Sequence, residues 1–124
     1  MGDPGARAQA SHDRREMVQL AIRTHRLVSN RLGRDLYSAP AWDMLLDLYA
    51  HEERHPMSLT SLSGAAPGPS RTSLRAIDRL VRCGLLIRSR DQDDGRRINV
   101  ALSHDAIDLL DGLFDEMVQL FTIV

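Results

Sequence analysis

The chain has 124 residues, of which 43% are hydrophobic and 27% charged, and its formal net charge is −1. These values are typical of one globular domain and exclude a second domain with its own core. Cys83 is the only cysteine, which excludes an intrachain disulfide and a cysteine-based zinc cluster. Neither a secretory signal nor an apolar run of ~18–20 residues is visible. The sequence therefore predicts a cytoplasmic protein that does not enter a membrane.

Charge is segregated along the chain. All sixteen basic residues are arginines. Residues 71–97 contain eight arginines against four aspartates, a local charge of +4, whereas residues 98–124 contain five acidic residues and no arginine. Segregated charge can steer a protein toward a polyanion even when its net charge is near zero. Arginine also suits phosphate and guanine, because its planar guanidinium donates two parallel hydrogen bonds.

Two helices are predicted in the first half of the chain. Residues 1–12 have no hydrophobic period, which predicts a disordered tail. Apolar residues recur at three-and-four spacing over residues 13–34, which indicates an amphipathic helix. The stretch "SAPAWDMLLDLYAHEERHP" predicts a second helix, with Pro40 in its first turn and Pro56 at its end. Its core-facing residues are expected to be Trp42, Leu45, Leu46 and Tyr49.

The second half predicts further helices around a hairpin. Ser58 can cap a short helix, "LTSLSGAA". A longer helix over residues 70–83 follows, and Gly84 ends it. Its expected core residues are Leu74, Ile77, Leu80 and Val81, with Arg71, Arg75, Arg79 and Arg82 on or beside the opposite face. The runs "LLIRSR" and "RRINVALS", joined by "DQDDG", predict a hairpin over residues 86–102. Ser103 can cap a last helix over residues 104–124.

Two stretches resemble metal sites without completing one. The stretch "HEERH" at residues 51–55 matches H-E-x-x-H, in which two histidines hold zinc. Pro56 ends that helix and the expected third ligand is missing, so a polar helix end is favoured over a zinc hydrolase. A calcium loop starting at Asp91 fails, because Arg96 takes the glycine position and Leu102 the position of the bidentate glutamate. No metal site is predicted.

Enzymatic signatures are also missing from the sequence. It contains neither a phosphate-binding nor a dinucleotide-binding glycine motif, and no G-x-S-x-G nucleophile motif. No spacing of serine and histidine assembles a nucleophile with its base. We therefore predict no catalytic residue, no cofactor and no enzymatic activity.

The arginine-rich helix and hairpin together suit DNA. A helix fits the major groove of B-DNA and reaches base edges with its leading residues, here Ser70, Arg71, Thr72 and Arg75. A hairpin beside it could place Arg90, Arg96 and Arg97 over the phosphate backbone or in the minor groove. We expect Asp94 to pair with an arginine and so hold the shape of the tip. A solvated helix with a charged hairpin is the alternative.

Residues 58–103 resemble the winged helix-turn-helix of the MarR family of bacterial transcription regulators. The family pattern "D-R-L-x-x-x-G-L" is matched by Asp78-Arg79-Leu80 with Gly84-Leu85. The wing pattern is matched by Arg90, Asp91, Asp94, Arg96 and Arg97, and Leu102-Ser103 stand for its "L-T" ending. The stretch from "SAPAWDMLLDLYA" through the recognition helix also resembles short winged-helix proteins of alphaproteobacteria. Two features depart from the family: Gly95 separates Asp94 from the arginine pair, and one helix of about 20 residues follows the wing instead of a longer region.

The resemblance implies a mainly α fold with a small β-hairpin, within the α+β class. It implies one domain over residues 13–124, with a winged-helix core at about 40–103. Arg71, Thr72 and Arg75 fall at DNA-facing positions of the recognition helix, and Arg96 and Arg97 at the wing tip. The family often binds apolar or phenolic effectors, but no pocket is visible in the sequence and no effector is predicted.

Two expectations about partners follow. Helix-turn-helix proteins usually bind DNA as two-fold dimers, and the terminal stretch "MVQLFTIV" is strongly apolar. We therefore expect a homodimer packed through the helices at 13–34 and 104–124. The expected function is sequence-specific, double-stranded DNA binding in transcription regulation. The alternative is a winged-helix module that docks another protein and does not bind DNA.

Overall fold

The computed structural model describes residues 3–34, 36–37, 39–51, 57–59 and 70–122. Within them, helices and strands follow this order: α1 (Pro4–Leu32), α2 (Ala39–Ala50), β1 (Met57–Ser58), α3 (Ser70–Arg82), β2 (Leu86–Arg90), β3 (Ile98–Leu102) and α4 (His104–Thr122). The strands form an antiparallel sheet in the order β1-β3-β2. The predicted α+β class and the hairpin are confirmed. Residues 60–66 of the predicted short helix lie outside the described part of the chain.

Helix α1 begins nine residues earlier than the sequence period indicated. It starts at Pro4, so the prediction of a disordered tail over residues 1–12 is wrong for the part from Pro4 onward. The Asp3 carboxylate caps the helix by accepting a hydrogen bond from the Gly5 N–H at 3.2 Å, and proline suits the first helical position. Two side-chain contacts at i,i+4 spacing support the next turns: Gln9 with Asp13 and His12 with Glu16. Capping and such contacts need no hydrophobic period.

The hydrophobic core lies where α2, α3 and the end of α1 meet α4 and the sheet. Its buried apolar members are Val28, Leu32, Ala41, Met44, Leu45, Leu48, Ala76, Ile77, Leu80, Leu85, Leu86, Val100, Ala106, Leu110 and Leu113. Aliphatic residues dominate this set, as expected for a chain with only 4% aromatic residues. No helix among the described residues is long and apolar enough to cross a membrane.

Helix α3 buries a face that differs slightly from the predicted one. Ile77 and Leu80 are fully buried as expected, whereas Leu74 is 39% exposed and Ser73 is buried. Successive residues of a helix are separated by roughly 100° around its axis. A face centred near Ser73 therefore leaves Leu74 at its edge. Apolar character alone made Leu74 the expected choice, whereas the rotation of the helix places Ser73 on the buried face.

The aromatic residues of α2 seal its contact with α4 and do not enter the core. Trp42, Leu46 and Tyr49 were predicted to share a buried face with Leu45, but these three are half-buried. Trp42 and Tyr49 contact the Phe114 ring, with ring centroids 6.3 and 4.8 Å apart respectively. The Tyr49 hydroxyl donates a hydrogen bond to the Asp111 carboxylate at 2.5 Å. The polar tip of each ring needs water or a partner, which favours the edge of the core.

One short joint connects α3, the hairpin and α4. Gly84 ends α3 with φ 78°, a left-handed conformation that glycine adopts without steric cost. The Ser103 hydroxyl donates to the Gly84 carbonyl at 2.6 Å and accepts from the Ala106 N–H at 3.0 Å. The Ser103 N–H donates to the Leu85 carbonyl at 3.0 Å. The predicted cap of α4 is confirmed, and the same residue closes the base of the hairpin.

Two leucines of α3 provide a test of this core. Leu80→Ala should lower the free energy of unfolding by about 2–5 kcal/mol, because it leaves a cavity at a fully buried site. Leu74→Ala is the matched control in the same helix and should cost less than about 1 kcal/mol, since Leu74 is partly solvated. Urea denaturation of both variants measures the difference. Equal losses would mean that the face of α3 is assigned wrongly.

Candidate nucleic-acid interface

Helix α3 presents a charged stripe on the side away from the core. Arg71, Arg75, Asp78 and Arg82 follow each other at three-and-four spacing, which places them on one face of the helix. We call these four residues the α3 stripe. The three arginines are exposed, and the stripe runs the length of α3. Burial of Ile77 and Leu80 fixes its rotation, because those side chains must enter the core.

The leading residues of α3 lie where the sequence placed them. Ser70 begins the helix, and Arg71 and Thr72 are exposed in its first turn. The free N–H groups of a helix start, together with its dipole, favour a negatively charged ligand. Arg75 follows one turn later on the same side as Arg71. This end of α3 therefore carries three exposed polar side chains that were predicted to face DNA.

The hairpin of β2 and β3, which we call the wing, has a tip closed by its own backbone. The Arg97 N–H donates to the Asp94 carbonyl at 2.9 Å, and the Asp91 N–H donates to the Arg97 carbonyl at 3.0 Å. The Asp91 carboxylate also accepts from the Asp93 N–H at 3.0 Å. Aspartate side chains commonly stabilise turns in this way. The Asp91 carboxylate thus has a structural use that needs no metal.

Asp94 shapes the wing tip through a different contact from the predicted one. Its carboxylate accepts a hydrogen bond from the Arg96 backbone N–H at 3.0 Å. The ion pair with a tip arginine belongs to Asp91, whose carboxylate lies 3.9 Å from the Arg97 guanidinium. Gly95 separates Asp94 from the two arginines, and this spacing brings the Asp94 side chain to a backbone amide. The prediction that Asp94 pairs with an arginine side chain is therefore wrong.

An ion pair joins the wing to the α3 stripe. The guanidinium of Arg88, in the middle of β2, donates to the carboxylate of Asp78. Asp78 lies between Arg75 and Arg82 on the stripe, so β2 lies beside the same face of α3 that carries the arginines. The wing and the stripe consequently form one continuous surface. Both partners are about half exposed, which places the contact at this surface rather than in the core.

Most arginines of this surface have no acidic partner among the residues that the structure describes. Arg97 and Arg88 take part in the two ion pairs given above. Arg71, Arg75, Arg82, Arg90 and Arg96 are exposed and take part in neither of these pairs. An unpaired guanidinium is available for an external anion, and it donates up to five hydrogen bonds. The described surface therefore offers a polyanion five such groups, three on the helix and two on the wing.

Metal ligands do not gather anywhere in the described part of the chain. No group of three or more histidine, cysteine, aspartate or glutamate side chains could hold an ion there. Of the "HEERH" stretch, His51 is exposed, and residues 52–55 lie outside the described residues.

Comparisons with known proteins show which solved structures have a similar fold. No protein-family model matches the chain, and no curated protein matches it. The fold is similar to a probable transcriptional regulator from Pseudomonas aeruginosa, at 28% identity over 87% of this chain and 81% of that chain, with a TM-score of 0.58. It is also similar to a mutant of MepR from S. aureus bound to an oligodeoxyribonucleotide, at 22% identity over 92% and 81%, with a TM-score of 0.73. NadR in complex with 4-hydroxyphenylacetate matches at 15% identity over 99% and 78%, with a TM-score of 0.65.

The chain has a winged-helix fold, and this fold is MarR-like. At the level of the fold, the structural neighbours confirm the resemblance that the sequence of residues 58–103 indicated. One of these three neighbours is a probable transcriptional regulator, and another is bound to an oligodeoxyribonucleotide.

Sequence reasoning missed Arg88, and it placed Asp91 in the wing without predicting its contacts. The alternation of β2 contained the signal for Arg88, because Leu86 and Arg88 lie on the same side of the strand. A strand whose first residue packs into the core beside α3 directs its third residue toward α3 as well. The signal for Asp91 was its position directly before the turn, where an aspartate often accepts turn amides.

The tip contact of Asp94 provides a second test. Asp94→Ala should raise the hydrogen-exchange rate of the Arg96 amide by about 2- to 10-fold, because one hydrogen bond is worth about 0.5–1.5 kcal/mol. Gln92→Ala, an exposed substitution in the same turn, is the control and should leave that rate unchanged. NMR-detected exchange measures both variants. An unchanged rate in Asp94→Ala would show that the carboxylate does not hold the tip.

Proposed function

We propose that this protein is a sequence-specific DNA-binding transcription regulator without enzymatic activity, acting in the cytoplasm. The recognition helix, residues 70–83, enters the major groove, and the wing, residues 86–102, contacts the phosphate backbone or the minor groove. The observation that carries the proposal is the continuous surface formed by the α3 stripe and the wing. Its unpaired arginines face outward on a winged-helix fold.

The geometry of α3 supports base contact by its leading residues. A helix that lies in the major groove touches base edges with its N-terminal turns. Arg71 and Arg75 lie one turn apart on the exposed face, and arginine is the side chain best suited to guanine. Ser70 and Thr72 are hydrogen-bonding residues at the same end, suited to phosphate or base contact. The core contacts of α3 hold this face in place.

The geometry of the wing supports contact with the phosphate backbone of DNA. A hairpin whose tip is closed by backbone hydrogen bonds projects its side chains from a defined position. Arg96 and Arg90 have no acidic partner in the described part of the chain, and the Arg97–Asp91 contact is long at 3.9 Å. Phosphate, which accepts bidentate arginine contacts, can compete for such a group. The neighbour MepR, whose structure contains an oligodeoxyribonucleotide, has the same fold.

The same proposal includes a homodimer formed through α1 and α4. Helix α1 has 29 residues and is about 43 Å long, yet its buried residues, Val28 and Leu32, both lie near its end. Apolar side chains remain exposed on both helices: Met17, Val18 and Ile22 on α1, and Val118 and Phe121 on α4. Helical segments without packing are marginally stable in water. A second copy would cover these side chains.

Charge complementarity favours a second copy over another partner. Helix α1 carries six arginines and two acidic residues, whereas α4 carries five acidic residues and no arginine. Within one chain these helices already share the ion pair between Arg31 and Glu116. The exposed part of α1 in one copy can meet α4 of the other with opposite charge. A dimer would present two recognition helices to two half-sites.

No effector is included in the proposal. NadR binds 4-hydroxyphenylacetate. In this chain, the contact between α2 and α4 is filled by the rings of Trp42, Tyr49 and Phe114. Neither a cofactor nor a metal is needed for the proposed function.

DNA binding is tested with random-sequence duplex DNA. The wild-type protein should bind with a Kd below about 10 µM at moderate salt, and its affinity should fall steeply with salt concentration. Arg96→Ala/Arg97→Ala should bind more weakly. Its salt slope, the slope of log affinity against log salt concentration, should be shallower by about 1–2, because each phosphate contact contributes about 0.9 to that slope. Fluorescence anisotropy at several salt concentrations measures both values.

The control is Arg34→Ala, which removes an exposed arginine outside α1, α3 and the wing. Its salt slope should match that of the wild type. If no protein binds at about 50 mM salt with a Kd below about 10⁻⁴ M, the DNA proposal is wrong and a protein-docking module is favoured. Selection of bound duplexes from a random library then tests specificity, and a recovered consensus is expected.

The dimer is tested by sedimentation equilibrium. The wild type should dimerise below about 100 µM, and Val118→Arg should weaken the dimer by about 100-fold or more, because it places an unpaired charge opposite a basic helix. Ile87→Arg is the control, since Ile87 is 53% exposed on the wing and the dimer does not use it. A monomeric wild type at that concentration contradicts the proposal.

A further inference from the structure

We propose that the ion pair between Asp78 and Arg88 positions the wing relative to the α3 stripe, and that DNA binding depends on this positioning. The inference rests on the proposed DNA-binding function and adds two positioning residues to it. Neither residue needs to contact DNA. Their role is to hold two arginine-bearing elements at one distance and angle, so that both contact the same duplex.

Asp78 has an unexpected position for an acidic residue. It lies on the α3 stripe between Arg75 and Arg82, where its carboxylate would repel phosphate. Its exposed fraction of 46% shows that it does not belong to the core. A residue that served only solubility would not need the contact with Arg88. The ion pair removes the unfavourable charge from the stripe and uses it to bind β2.

Arg88 is placed to act on the whole wing. It occupies the middle of β2 and lies directly opposite Val100 of β3, which is fully buried. The base of the wing is fixed at Ser103, where it joins Leu85 and Gly84. Beyond the base, this pair is a side-chain contact between the wing and α3. A hairpin fixed at its base and at one point along its length has less freedom to swing than one fixed at the base alone.

Electrostatic repulsion and positioning predict opposite effects of Asp78→Asn on the affinity for DNA. Removal of a negative charge from a surface that faces phosphate should by itself strengthen binding. Loss of the positioning contact should weaken it. Asp93 provides the matched control, because it is exposed at the wing tip and its carboxylate has no partner among the described residues. Asp93→Asn makes the same charge change without removing an ion pair.

The experiment compares three variants with the wild type by anisotropy on random-sequence duplex DNA. We expect Asp78→Asn to bind about 2- to 5-fold more weakly, within the range that an exposed ion pair can contribute. Asp93→Asn should bind as well as the wild type or up to about 2-fold more tightly. The exchanged pair Asp78→Arg/Arg88→Asp has the wild-type net charge and should recover binding to within about 2-fold.

A separate measurement reports on the wing without DNA. In Asp78→Asn, amides of residues 86–102 should exchange hydrogen about 2- to 5-fold faster, and the exchanged pair should restore the wild-type rate. If Asp78→Asn binds DNA as tightly as Asp93→Asn, or if the exchanged pair does not recover binding, the positioning role is wrong. If the wild type does not bind DNA, the proposed function fails. The exchange rates then decide whether the pair holds the wing, and unchanged rates would overturn that as well.

Discussion

The arrangement of this protein depends on the hydrogen bonds of Ser103. Its hydroxyl contacts the Gly84 carbonyl and the Ala106 amide, and its own amide contacts the Leu85 carbonyl. One residue therefore ends the wing, fixes its base to the end of α3 and begins α4. Because Leu85, Ser103 and Ala106 are buried, loss of these hydrogen bonds would leave buried polar groups without a partner, and the joint therefore has little freedom. The relative placement of helix, wing and terminal helix follows from it.

The net charge of the chain does not show how charge is distributed over the fold. The arginines of α3 and the wing lie on one surface, whereas α4 carries acidic residues and α1 carries arginines again. The arginines of α3 and the wing support the proposed contact with phosphate. The opposite charges of α1 and α4 support the proposed contact with another copy. A net charge of −1 is thus compatible with a strongly basic local surface, because electrostatic interactions between exposed groups are screened beyond about 8–10 Å.

The acidic residues inside the arginine-rich segment do three different things. Asp91 and Asp94 accept backbone amides and fold the tip of the wing. Asp78 binds Arg88 and connects the wing to α3. The Asp93 carboxylate stays exposed at the tip. The dense mixture of charges in "RSRDQDDGRRINV" is therefore explained by a turn that needs aspartate for its backbone and arginine for its surface.

Part of this fold could be read from the sequence, because the relevant signals are local. Hydrophobic period, turn residues and caps placed the start of α2, and both ends of α3, the wing and α4, within a few residues, whereas α2 ends at Ala50 and not at Pro56. The exposed side of α3 followed from Ile77 and Leu80. The start of α1 was misplaced, since capping by Asp3 leaves no hydrophobic period. Such local signals do not predict contacts between helices and strands. The pairing of Asp78 with Arg88 and the exposure of Leu74 depend on how β2 and α2 pack against α3. Helical period alone placed the arginines of α3 on one face. Only packing, which fixes the position of one element relative to another, placed the wing beside that face.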